Sequence, residues 1–242
     1  MALHRFFSSM ADLLWAPRCA SCDAPVQCVD ADAERAAFCE LCLDSLDRSW
    51  PPRCPRCGIS FDAGGFDHVC GRCLADPPPF ESLVAPYAYG GALSSAISRF
   101  KYGPAPWLAA PLARLLFEAY VPEERVDVIV PVPLYPRRLR ERGYNQAALL
   151  AGRAPRALGA PLATAILHRV IDTPHQAGLS GQQRLDALAG AFRARSCRRF
   201  EGARVLLVDD VATTTATVRA ASAALVDAGA RAVDVLCLAR TM

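Results

Sequence analysis

The sequence predicts a parallel, doubly wound α/β domain over residues 79–242, preceded by an amphipathic helix and a small double zinc ribbon over 1–78. Three observations predict it. Apolar runs alternate with helically spaced segments from 82 to 239, as in a sheet covered on both faces. Four CxxC pairs fall within residues 19–73. A stiff proline-rich stretch, ADPPPFES at 75–82, separates the two patterns.

The elements follow in order. Leu3, Phe6, Phe7, Met10, Leu13 and Leu14 have helical spacing. SLVAPYAY (82–89) reads as a strand. Leu93, Ile97 and Phe100 mark a helix over 91–102, stopped by Gly103-Pro104, and PWLAAPLARLLFEAY reads as a second helix. VDVIVPVP (126–133) is a buried strand ended by prolines, 144–158 a helix and 163–170 a strand. ARVLLVDDV (203–211), TTATVRAASAALVDAG (214–229) and RAVDVLCLA (231–239) form a compact right-handed strand–helix–strand unit.

Composition sets bounds on function. Hydrophobic residues make up 52% and charged residues 21% of 242, which excludes a disordered chain. Alanine supplies 44 positions, so the apolar fraction overstates the core. Of 27 basic residues only Lys101 is lysine, a bias that points to genomic base composition. No run of 18 apolar residues exists and the N-terminus lacks a secretory pattern, so a cytoplasmic chain without a membrane span is expected.

The cysteines carry the strongest local signal. Sequential pairing gives one site from Cys19, Cys22, Cys39 and Cys42, and another from Cys54, Cys57, Cys70 and Cys73. Each CxxC turns two sulfurs toward one metal, and two zinc ions are expected. A crossed pairing, a disulfide framework and His68 as a substitute ligand are the alternatives. Two zinc ions with four thiolates each bring the formal charge from +3 to about −1, so net charge is weak evidence for nucleic-acid binding. Cys237 lies in an apolar strand and reads as a buried small hydrophobe.

VLLVDDVATTTAT (205–217) places Asp209 and Asp210 at the carboxyl end of a strand, where open α/β sheets bind ligands. Thr213, Thr214, Thr215 and Thr217 then open a helix, whose free N–H groups and hydroxyls suit a phosphate. The acids suit sugar hydroxyls, so one loop can hold a ribose 5-phosphate at both ends. The competing reading is an ordinary helix cap with solvated acids. PVPLYPRRLRERGYNQA (131–147) reads as a loop after another parallel strand and should face the 209–217 loop. Its Arg137, Arg138, Arg140 and Arg142 suit bidentate phosphate contacts or a nucleic-acid face. DTPHQAGLSGQQRLDALAGAF (172–192) reads as a long functional loop, with Thr173, Gln176 and Arg184 as candidate substrate contacts.

The 205–217 stretch resembles the signature of type I phosphoribosyltransferases, with Thr215 at its glycine position. The order of paired CxxC ribbons, SRFKYGPAPWLA, PVPLYPRRLRERGYNQA, TPHQAGL and VLLVDDVATTTAT is similar over nearly the whole chain to the ComF family. The resemblance implies a type I phosphoribosyltransferase fold and binding of phosphoribosyl pyrophosphate (PRPP) with magnesium. Asp209 and Asp210 would meet the ribose hydroxyls. Residues Thr213, Thr214, Thr215, Ala216 and Thr217 would hold the 5-phosphate, and Arg137 and Arg138 the pyrophosphate. Lys101, Arg142, Gly143, Asn145 and Gln146 join the functional set by the same resemblance. It also implies a link to natural transformation, either through catalysis or through a non-catalytic module that binds single-stranded DNA or competence proteins.

Overall fold

The structure is a computed structural model that describes residues 18–26, 38–62, 64–173, 187–196 and 200–241. The expected helix at 3–15, and Gln176 and Arg184, lie outside them. In the first part, helix α1 (Glu40–Asp44) and helix α2 (Gly71–Ala75) each start directly after a cysteine of a second knuckle, Cys39 and Cys70.

The main sheet contains β1 (Ser82–Val84), β2 (Tyr87–Ala88), β3 (Val128–Pro131), β6 (Arg204–Ala212) and β7 (Ala232–Arg240), every pairing parallel. Its order is β1, β7, β6, β3, with β2 continuing beside β7. The run 82–89 is thus two strands, because Ala85-Pro86 interrupts the ladder between them. Pro86 has no N–H to give to a ladder.

Strand alternation divides the core into two layers. Ile129, Leu206, Val208, Leu236 and Leu238 face one side, against α3 (Gly91–Tyr102), α4 (Ala109–Glu118) and α6 (Gln146–Ala151). Val128, Val130, Val205, Leu207, Val233 and Val235 face the other, against α8 (Ala216–Asp227). Helix α3 buries Leu93, Ala96, Ile97 and Phe100 at i, i+3, i+4, i+7, and α8 buries Val218, Ala221, Ser222 and Leu225 with the same spacing. Each fully buried aliphatic side chain contributes roughly 1.5–3 kcal/mol. The doubly wound architecture expected from the apolar runs is therefore the one observed.

Three local expectations need correction. Residues 136–142 form a helix, α5 (Pro136–Arg142), with proline in its first turn and Gly143 closing it at φ +82°, a left-handed conformation natural to glycine. The segment 144–158 is two helices, α6 and α7 (Ala154–Leu158), with Gly152 and Arg153 between them and Pro155 starting the second. Strand β4 (Leu167–Arg169) leaves the parallel sheet and pairs antiparallel with β5 (Phe192–Ala194).

The N-terminal part is packed into this framework. Cys19, Ala20 and Phe38 join the same buried cluster as Leu93, Ile97 and Phe100. Arg99 on α3 donates to the carbonyls of Cys19 and Ala20 and to Asp23 Oδ1, at 3.0, 3.3 and 3.1 Å.

Candidate functional site

The carboxyl edge of β6 opens into a cavity of about 340 Å³. Asp209 and Asp210 contribute its acidic wall, Thr213 and Thr217 its helix-terminal wall, and Lys101, Arg138, Arg142 and Arg169 its cations. Asn145 and Gln146 also line it. The two acids are adjacent on a strand, so their side chains leave on opposite faces. Asp210 points toward α3 and is held by Lys101 Nζ at 2.9 Å. Asp209 points to the other face, where the Arg169 charge acts on it, and its Oδ1 accepts the Asp210 N–H at 2.9 Å.

Burial raises the Asp209 carboxyl to about 7, and the neighbouring Asp210 charge adds to the rise against the pull of Lys101 and Arg169. For Lys101 burial works downward, yet the Asp210 and Asp209 charges outweigh it, and the ammonium is held above its ordinary range. Burial and the nearby Arg138 lower Arg169. The pocket therefore holds an acid on the edge of ionisation beside a firmly charged cation.

The threonine loop has an unusual geometry. Thr215 sits at the N-cap of α8 with φ +64°, buried, and makes no side-chain cap. The position that resembles a signature glycine thus keeps a left-handed turn despite a β-branched residue. Without a side-chain cap, the first-turn N–H groups of Ala216 and Thr217 have no intrahelical acceptor and suit an anion.

The RGYNQ stretch (142–146) is also hydrogen-bonded into the scaffold. Asn145 caps α6 by accepting the Ala147 N–H at 3.1 Å and donates to the Val132 carbonyl at 3.0 Å. The Tyr144 hydroxyl donates to the carbonyls of Phe100 and Gly103 at 2.7 and 3.2 Å. Gln146 donates to the Phe100 carbonyl and accepts from Arg142 at 2.7 Å. Together they tie the arginine helix to the end of α3 that carries Lys101.

Not every expected residue reaches the cavity. Arg137 lies in an adjoining cavity of about 560 Å³ and pairs with Asp172 at 2.7 Å. Lys101, Tyr102, Arg138 and Arg142 line both cavities. Thr214, Thr215, Ala216 and Gly143 do not line the first. Thr173 is buried behind it, where its carbonyl accepts from Arg138 at 2.8 Å and its hydroxyl from Arg169. Sequence reasoning missed Arg169 and Tyr102. Arg169 stood in a short strand without a motif, and Tyr102, two-thirds exposed beneath the Arg142 guanidinium, read only as a helix end.

The cysteines gather sequentially. In each set of four the Sγ atoms all lie within 4.8 Å of one another. Cys22–Cys39 and Cys57–Cys70 are 3.7 Å apart, against about 3.8 Å for a tetrahedron edge with Zn–S near 2.3 Å. That spacing is far beyond a disulfide, and all eight are free thiols. Two four-cysteine zinc sites therefore fit, and the crossed and disulfide alternatives do not. His68 stacks on Phe61 with centroids 4.1 Å apart, outside either cluster.

Comparison with known proteins agrees with this arrangement. A family described as the double zinc ribbon domain matches residues 10–74. The DNA utilization protein YhgH of Salmonella typhi is 36% identical over 211 residues, covering 85% of this chain and 91% of its own length. Competence protein F of Haemophilus influenzae is 38% identical over 196 residues, covering 78% and 85%. The chain belongs to the ComF family. Competence protein ComFC of Bacillus subtilis is 28% identical over 200 residues, covering 79% of this ComF chain and 78% of its own. A glutamine PRPP amidotransferase of B. subtilis overlays 57% of the chain at 21% identity and a TM-score of 0.39. The chain spans 30% of that enzyme, and the overlay adds nothing to the topology given above. Among the described residues no helix is long and apolar enough to cross a membrane.

Proposed function

We propose that this ComF protein binds PRPP, or a related ribose 5-phosphate ligand, at the carboxyl edge of its sheet, in a role linked to DNA uptake and utilization. The observation that carries the reading is the shared cavity of Asp209, Asp210, Thr213, Thr217 and Lys101. Acids suited to vicinal hydroxyls face a helix terminus suited to a phosphate. The names of the relatives supply the link to DNA.

In this reading the Asp209 and Asp210 carboxylates accept hydrogen bonds from the ribose hydroxyls. The N–H groups at the start of α8, with the Thr213 and Thr217 hydroxyls, hold the 5-phosphate. Lys101, Arg138 and Arg169 face the pyrophosphate. Transfer would break the bond between ribose C1 and the pyrophosphate oxygen, which leaves with the electron pair, and join C1 to an acceptor nucleophile. These half-buried cations would stabilise the charge that develops on the leaving oxygen. The hard carboxylate oxygens of Asp209 and Asp210 fit magnesium, which would neutralise part of the pyrophosphate charge.

Millimolar PRPP with magnesium should raise the melting temperature of the protein, and the combined variant D209N/D210N should abolish the rise. No rise for the wild type refutes the reading. A second reading is favoured by the adjoining cavity, where Arg137, Arg138 and Arg142 surround the exposed Tyr102 ring. There the same fold would serve as a single-stranded DNA-binding module, with stacking on the aromatic face. Binding to an oligonucleotide should then weaken steeply with salt, and Y102A should weaken it further. A flat salt response would rule this out.

A further inference from the structure

Arg240, near the end of β7, is 5% exposed, and no carboxylate pairs with it among the described residues. Its Nε and Nη1 have no hydrogen-bond partner there. Its Nη2 instead points at Cys57 Sγ, 3.7 Å away, in the second cysteine cluster. Arginine does not shed its proton in proteins, so the charge must be balanced where it lies. Taking a cation out of water without a counter-charge is strongly unfavourable.

The strand backbone at this side chain is pinned by its neighbours. The Arg240 carbonyl accepts from Tyr89 N–H at 2.7 Å, and Thr241 N–H donates to the Ala212 carbonyl at 3.0 Å. The ribbon is equally pinned on its side. A Cβ on Gly58, which has φ +68°, would meet the Leu83 carbonyl at 2.6 Å, so this knuckle touches the sheet edge backbone to backbone. Arg56 adds hydrogen bonds to the Phe80 and Glu81 carbonyls at 3.4 and 3.2 Å. Guanidinium and sulfur cluster are thus held together in a dry contact.

A zinc ion with four thiolates carries about −2. We propose that Arg240 is the counter-cation of the second zinc site, and that the thiolates which zinc keeps deprotonated there in turn neutralise Arg240. Zinc binding at that site and closure of the last strand of the sheet are then coupled, and coupling is reciprocal. The first site is built differently. Arg99 reaches its knuckle carbonyls, and no described arginine reaches its sulfurs. The two zincs are therefore unequal, although their four-cysteine sets are alike.

The test uses the full zinc-loaded chain and the variants R240M and R240K. Zinc release is followed against graded chelator, and alkylation with mass spectrometry reports which cysteines become reactive. R240M should lose one zinc of two at about 10–100-fold lower chelator concentration, the usual effect of removing an outer-shell partner. Alkylation should appear at Cys54, Cys57, Cys70 and Cys73 first, and R240K should recover part of the affinity. Release as in the wild type, or equal weakening of both sites, overturns the proposal. Should R240M fail to fold, the wild type decides: loss of the second zinc must raise amide exchange at 236–241 above that at β3, and unchanged exchange there overturns the coupling. A wild-type content below two zincs per chain would instead refute the zinc assignment itself.

Discussion

Replacing Asp209 with asparagine should stabilise the protein, and by more as pH rises. The Asp209 carboxyl sits at about 7 in the folded chain, against 3.8 for the free side chain, chiefly through burial and then through the Asp210 charge. A raised pKa means that the folded state holds the proton more tightly. The associated stability is complete below about pH 4 and is lost as pH rises through 7. Three pH units at 1.36 kcal/mol each give a cost of about 4 kcal/mol by pH 8 and about 2 kcal/mol at pH 5.5. Asparagine does not titrate, and its Oδ1 can still accept the Asp210 N–H. D209N should therefore exceed the wild type by about 2 kcal/mol near pH 5.5 and about 4 kcal/mol near pH 8, measured by guanidinium unfolding with zinc present. The neighbouring variant D210N should act in the opposite sense. It strands the Lys101 cation, only a quarter exposed, at a cost of about 1–3 kcal/mol. A pH-independent difference for D209N, or destabilisation at pH 8, refutes the account of this pocket.

Two further outcomes test the loop and the core. T215G should be more stable than T215A by about 1 kcal/mol, the reverse of the simple helical ranking, because residue 215 has φ +64°; equal thermal midpoints would remove the left-handed turn. Leu206 is fully buried on the central strand, so L206A should cost about 3–5 kcal/mol in chemical denaturation. A loss under 1 kcal/mol would mean that this face of the sheet is not packed as described.

The features that could be read from sequence were those that physics makes periodic or stoichiometric. A parallel strand covered on both faces must be largely apolar, so 126–133, 203–211 and 231–239 stood out. Sulfurs around one metal must come in close pairs, so the clusters did too. Helix α5 escaped because it buries none of its residues and shows no apolar stripe, although Pro136 and Gly143 bracket it with start and stop signals. The strand at 163–170 was readable as a strand, but its departure from the main sheet depends on the partner at 192–194, which its own residues do not encode. Arg169 reaches the pocket only through that departure. Nothing local in the sequence marks Arg240, because the sulfur it meets belongs to a cysteine 183 positions earlier in the chain.

Arg99 and Lys101 lie two positions apart on one helix and so project to nearly opposite sides. One grips the first cysteine knuckle and the other the carboxylate rim. The helix is a party wall, with a metal module as tenant on one side and a ligand chamber on the other. A fragment beginning at residue 79 would leave that wall standing with one room demolished and Arg99 without the carbonyls it grips. The prolines join the two modules along the chain, and this helix joins them in space.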